Sequence, residues 1–152
     1  MTEDHRKVIR HTLTQLLSRR EHGFNELLFK LEEKGFELDD ILPVLERFKQ
    51  ANIQSDSRFA EMHYRAGINK GQGPIRIKEV LKQHKIDDCD ALAGFSEIEV
   101  DWLELAWVVK CKKFGELPPK DTKEKAKQQR FLLYRGFSYE QIEHALTNEV
   151  NS

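Results

Sequence analysis

Long apolar runs are missing from this 152-residue chain, and with them any membrane-spanning helix, which needs a run of roughly eighteen residues or more. Cysteine is scarce: Cys89 and Cys111 are the only two, and neither belongs to a C-x-x-C pair. A single bridge between them stays open on count, but the opening Met1-Thr2-Glu3-Asp4-His5 lacks the apolar run of a secretory signal. A reduced, cytoplasmic protein is therefore expected. Proline is limited to four residues and no Gly/Ser-rich or Pro-rich linker occurs, which argues against flexibly tethered domains. Segments that alternate apolar and polar residues between turn dipeptides are nearly absent, so a sheet is not expected.

Catalytic patterns are absent too. The six histidines (5, 11, 22, 63, 84 and 144) form no H-E-x-x-H and no Cys/His cluster at metal-ligand spacing. No Ser or Cys has a histidine placed to activate it. Lys70-Gly71-Gln72-Gly73-Pro74 is glycine-rich but has neither a preceding strand nor a Gly-Lys-Ser/Thr ending, and reads as a turn. The expectation is a protein that binds, not an enzyme, with no cofactor and no metal.

What the chain does have is helical periodicity from end to end. Ile9, Leu13, Leu16 and Leu17 recur at helical spacing, as do Leu27, Leu28 and Leu31, then Ile41, Leu42, Leu45 and Phe48. Asp101…Glu104 and Asp121…Glu124 have capping-box spacing, and Ser138…Gln141 is a capping box proper. Gly35 and Gly136 sit where helices should close. Pro74 suits a first turn, and Pro43 should lie in the first turn of a helix beginning near Asp39 or Asp40.

The strongest sign of organisation is repetition. Leu31, Gly35, Phe36, Ile41 and Leu45 recur fifty residues on as Leu81, Lys85, Ile86, Ala91 and Phe95, and after fifty-one more as Leu132, Gly136, Phe137, Ile142 and Leu146. A helix ends, an apolar residue just past it folds back, and the next helix presents its first-turn face. The expected fold is all-α, with three tandem three-helix repeats (1–55, 56–98 and 99–152) forming an elongated, curved array. The expected helices are His5–Arg20, Phe24–Lys34, Asp40–Ala51, Asp56–Ile68, Pro74–Lys85, Asp88–Glu97, Trp102–Phe114, Thr122–Arg135 and Tyr139–Asn148. Phe36 and Phe137 are expected in the core.

The formal net charge is −1, so the balance implies no polyanionic partner. Its distribution says more. Arg58–Lys85 holds seven basic and two acidic residues, and Val109–Arg135 nine basic and three acidic. A solvated helix face explains any one of these charges; two clusters suggest a positive surface.

Four segments carry a family resemblance along essentially the whole chain. Arg19-Arg20-Glu21-His22 with Glu26-Leu27, Lys30-Leu31 and Lys34-Gly35 resembles the R-E-H-S-x-x-E-L…K-L…K-G opening of RecX regulatory proteins. Asp56, Arg58-Phe59-Ala60 and Tyr64 resemble the D-x-R-F-A…Y segment. Gly71-Gln72-Gly73-Pro74-Ile75-Arg76-Ile77 is similar to G-x-G-P-x-R-I, and Phe131–Ser138 to R-F-L-x-R-R-G-F-S. Gly23 replaces the family's Ser, and Tyr134 stands where Arg is frequent; Cys111–Lys127 matches least.

The resemblance implies a regulator that lies in the groove of the RecA–DNA filament and inhibits its ATPase, strand-exchange and coprotease activities; the chain itself is expected to be a monomer. Its expected partners are the RecA filament and, weakly or through that filament, the DNA phosphate backbone, with no membrane involved. Candidate contact residues are Arg19, Arg20, Arg58, Arg65, Lys70, Arg76, Lys78, Lys82, Lys110, Lys112, Lys113, Lys127, Arg130 and Arg135, with Arg76 also placed to brace a helix start. A stand-alone DNA-binding module acting through the basic face, and a helical scaffold for another partner, remain as alternatives.

Overall fold

The computed structural model describes residues 2–147, and among them there are nine helices and no strand. They are α1 (Thr2–Arg19), α2 (Phe24–Glu33), α3 (Leu38–Gln50), α4 (Asp56–Asn69), α5 (Pro74–Gln83), α6 (Asp88–Ser96), α7 (Trp102–Phe114), α8 (Thr122–Tyr134) and α9 (Tyr139–Thr147). The repeated three-helix arrangement is the expected one, with helix ends displaced by about three residues at most. Asn148, the expected end of the last helix, lies outside the described residues.

Local chemistry explains the boundaries. Asp101 accepts from Glu104 N at 3.1 Å, and Asp121 from Glu124 N at 2.8 Å. Ser138 and Gln141 exchange both bonds of a capping box. Gly23, which has no side chain to accept with, makes half of one: its N–H donates to Glu26 Oε1. Pro43 departs from expectation. Helix α3 begins at Leu38, which leaves Pro43 in the second turn, where it gives up one intrahelical hydrogen bond.

The three repeat closures share one geometry. Gly35 and Gly136 both have φ +97°, and Lys85, at the matching place, has φ +58°. Behind the two glycines, Phe36 N donates to Leu31 O and Phe137 N to Leu132 O, each at 3.2 Å. Phe137 is fully buried, whereas Phe36 packs on the core only in part, contrary to expectation.

Two compact units make up the chain: residues up to Met62 with Lys82–Phe95, and His63–Leu81 with the residues from Ser96 onward. In unit 1, α1 and α2 pack on α3 around Ile9, Leu13, Leu27, Leu31, Ile41, Val44 and Leu45. In unit 2, α7, α8 and α9 pack around Ala106, Val109, Leu132, Phe137, Ile142, Ala145 and Leu146. The middle repeat is shared out. Its Phe59, Ala60 and Ile86 are buried in unit 1, and its Tyr64, Ile77 and Leu81 in unit 2.

Candidate functional site

The charged motif of unit 1 is a clasp. Arg20 forks onto Glu26, with Nη1 to Oε1 at 3.1 Å and Nη2 to Oε2 at 2.6 Å, and also donates to Glu21 O. Glu21 in turn accepts from Arg58 Nε at 2.9 Å. The rest of the Arg58 fork donates to Asn52 Oδ1, Asn52 O and Ile53 O. Asp56 Oδ1 accepts from Phe24 N at 2.8 Å and from Gln54 Nε2 at 3.0 Å, and Gln54 reaches His22 O. Arg20 and Arg58, expected as contact residues, are therefore engaged inside the fold.

His22 lies buried at the centre of this clasp. Its Nδ1 is 3.1 Å from Arg20 O, which can only accept, so Nδ1 carries the hydrogen and Nε2 accepts from Lys30 Nζ at 3.3 Å. Burial, reinforced by the charges of Arg20 and Lys30, holds its pKa below the ordinary 6.5. Burial alone would raise Glu26, but the Arg20 hydrogen bond and charge outweigh it and keep that carboxyl below its ordinary value.

Unit 2 has a clasp of its own, made of backbone. Gly73 N donates to Arg135 O at 2.7 Å and Ile75 N to Gly136 O at 3.0 Å, so the start of α5 caps the end of α8. Unpaired N–H groups meet unpaired carbonyls, and the partly positive start of α5 meets the partly negative end of α8. A Cβ on Gly73 would stand 2.4 Å from Gly136 C and O, and one on Gly136 2.4 Å from Arg76 Cβ. Arg76 donates to Tyr134 O at 3.3 Å and lies over the Tyr134 ring, bracing the helix start as expected. Arg135 donates to Lys70 O at 2.8 Å and covers Phe131.

Four of the candidate cations do meet. Lys70, Lys112, Lys113 and Arg135 border one cleft of about 480 Å³ within unit 2. Its floor is aliphatic: Ile68 from α4, and Leu105, Val108 and Val109 from α7, with Phe131 of α8 as a wall. No carboxylate is among the described residues lining it. Lys113 Nζ sits 5.6 Å from the Phe131 ring centre, and Phe114 meets that ring edge-on.

Lys110 requires correction. It is fully buried, and its Nζ donates to Gly115 O and Leu117 O, both at 2.7 Å, fastening the loop after α7. Burial lowers its pKa from the ordinary lysine value, and it presents no charge to a partner. Arg65 is exposed but donates to Glu97 O. Arg19, Lys78, Lys82, Lys127 and Arg130 are exposed, form no side-chain hydrogen bond or ion pair among the described residues, and do not border the cleft.

Sequence reasoning missed the apolar half of the cleft. Its signal was present in α7, where Leu103, Leu105, Ala106, Trp107, Val108 and Val109 are apolar all round, more than one core face uses. It also missed Arg6, Arg10 and Arg47, which border a pocket of about 270 Å³ in unit 1 with Val44 and Phe48. There Glu3 and Asp40 partly offset the charge. Among the described residues, no three His, Cys, Asp or Glu side chains gather to hold a metal, and no helix is long and apolar enough to cross a membrane. Cys89 and Cys111 are both free thiols.

Comparison with known proteins places these clasps in a family context. Residues 55–92 match the model of the RecX second three-helix domain, and residues 99–146 that of the third. The chain is 42% identical over 139 residues to the regulatory protein RecX of Vibrio vulnificus, covering 91% of each. It is 40% identical to that of Pseudomonas entomophila, covering 91% of this chain and 90% of the relative. A crystal structure of regulatory protein RecX superposes with TM-score 0.80 at 22% identity, covering 97% of this chain and 75% of that one. RecX from Lactobacillus salivarius gives 0.77 at 20% identity, covering 94% and 95%.

Proposed function

This chain belongs to the RecX family of regulatory proteins, and from that premise we propose that it binds the RecA recombinase filament on DNA and inhibits its ATPase, strand-exchange and coprotease activities. The observation that carries the proposal at residue level is the carboxylate-free cleft bordered by Lys70, Lys112, Lys113 and Arg135. Cations gathered without counter-charges hold a standing positive potential, which steers an acidic partner and is available to it. The exposed Arg19, Lys78, Lys82, Lys127 and Arg130 supply further contacts, to RecA or to DNA phosphates within the filament. Arg20, Arg58 and Arg76 contribute by holding the fold.

Three repeats, 1–55, 56–98 and 99–152, give a partner built of identical subunits a repeated set of surfaces to meet. Their cores match while their charges differ, so the contacts are not equivalent. The chain acts by binding alone, without a cofactor, as a monomer in the cytoplasm.

The test is a titration of RecA's DNA-dependent ATPase. Inhibition is expected at substoichiometric amounts of this protein, and full activity at a several-fold excess over RecA would sink the proposal. Binding to bare DNA should be weaker, with a shallow salt dependence. A steep slope approaching about −0.9 per neutralised phosphate, at tight affinity, would point instead to a stand-alone DNA-binding module.

A further inference from the structure

We infer that the cleft of unit 2 is a docking site for an acidic peptide segment carrying one bulky apolar side chain. The inference deepens the proposed RecA role by naming the chemistry that a partner's surface must present, and it rests on that role only for the source of the segment. The first ground is the combination of rim and floor. Lys70, Lys112, Lys113 and Arg135 supply charge with no lining carboxylate among the described residues, while Ile68, Leu105, Val108 and Val109 supply an aliphatic base. Val108, on this cleft, remains 47% exposed. A volume of about 480 Å³ falls in the range of pockets that enclose a ligand's apolar group and orient it with a few polar ones.

Charge complementarity and the floor together select the occupant. A nucleic-acid backbone would satisfy the lysines but would press phosphates against aliphatic carbon, which strips their hydration without replacing it. Base stacking would need an open aromatic face. The Phe131 ring already carries the Lys113 ammonium, the Arg135 guanidinium and the edge of Phe114. An acidic segment with one Phe or Leu matches both halves: the apolar side chain enters over Val108, and flanking carboxylates reach Lys70, Lys112 and Lys113.

The experiment is fluorescence anisotropy on the full chain with a labelled peptide of Asp and Glu residues around one central Phe. The same peptide with Ser at the centre and a labelled oligothymidylate are run beside it. The Phe peptide is expected to bind about tenfold tighter than the Ser peptide, as one well-buried apolar group allows. Val108→Asp, and Lys112→Glu with Lys113→Glu, should each weaken it by about tenfold or more, with circular-dichroism melting confirming that the variants fold. Lys123→Glu, exposed on α8 away from the cleft, should leave it within about twofold. Equal binding of the Phe and Ser peptides would overturn the inference. So would a Val108→Asp variant that loses the oligothymidylate and keeps the peptide. RecA ATPase inhibition by the unaltered chain, measured in parallel, separates the two ideas. Inhibition without peptide binding removes the inference alone, and peptide binding without inhibition removes the RecA role alone.

Discussion

Each compact unit fastens helix ends to one another, but the two use different materials. In unit 1 the clasp is made of side chains: the Arg20–Glu26 fork, the Glu21–Arg58 pair and Asp56 beneath Phe24 N. In unit 2 it is made of main chain: two N–H groups at the start of α5 inserted into the carbonyls that end α8, at glycines that let the backbones touch. A side-chain clasp is adjustable, because its reach can relax and its charges respond to salt and pH. A backbone clasp has no such slack. Arg20, Arg58 and Arg76 stand in family-like motifs and bond carbonyls or carboxylates of this chain, while Arg135 donates to Lys70 O and also borders the cleft.

The difference is broken most sharply at Gly136. Both Gly35 and Gly136 have φ +97°, so Ala at either bears the same conformational strain, about 1–2 kcal/mol. Nothing lies within 4 Å of a Cβ at Gly35, whereas one at Gly136 would meet Arg76 N at 2.6 Å. Gly136→Ala should therefore cost about 2–4 kcal/mol and Gly35→Ala only the conformational part, measured as the shift in urea midpoint. Equal losses would mean that the backbone contact in unit 2 yields easily and that the two clasps do not differ in stiffness.

A smaller effect is expected at Arg58. Arg58→Lys keeps the charge but cannot fork, so three of the four bonds to Glu21, Asn52 and Ile53 go. The site is partly exposed, which limits the loss to about 1–2 kcal/mol. High salt should narrow the gap for a charge-removing Arg58→Met, which loses the pairing with Glu21, and should not narrow the gap for Gly136→Ala. An Arg58→Lys variant of unchanged stability that nonetheless fails to inhibit RecA would return Arg58 to the contact surface.

Unit 1 should also be the acid-sensitive one. His22 has its folded pKa depressed below 6.5, so the unfolded chain binds the proton more readily. The stabilisation is present above pH 6.5 and is lost as pH falls through the folded value. Glu26, depressed below 4.5, adds a second loss at lower pH. Unfolding free energy should decline as pH is lowered from about 7.5 to 5.5, and His22→Gln should flatten that decline. An unchanged pH profile in His22→Gln would remove His22 as its source.

How much of this was legible in the sequence follows the same division. Helices, caps and the repeat could be read because they are local: Asp121 and Glu124 are three residues apart, and Gly136 follows its helix directly. The motifs could be read as motifs, but their partners could not. Glu21 and Arg58 are thirty-seven residues apart, Arg76 Nη1 and Tyr134 O fifty-eight, and periodicity carries no such pairing. Lys110 shows the limit best. It follows Val109 and precedes Lys112 and Lys113 in a basic run, yet helical rotation turns it inward to the carbonyls of Gly115 and Leu117. Charge count said surface; the face of the helix decided otherwise.

The smallest expected effect approaches the comparison from the opposite side. Lys85 closes α5 at the place that Gly35 and Gly136 occupy in the other repeats, with φ +58°, where a Cβ is crowded by its own backbone. Its side chain is exposed and makes no hydrogen bond or ion pair among the described residues, so nothing offsets the strain. Lys85→Gly relieves about 1–2 kcal/mol of that strain and, by loosening the unfolded chain, costs about 0.5–1 kcal/mol. The net should be a stabilisation of about 0.5–1 kcal/mol, seen as a higher urea midpoint with unchanged slope. A lower midpoint would mean that Lys85 is held by more than its backbone. A higher one would show that unit 1 accepts the closure device of the other repeats without disturbing its side-chain clasp.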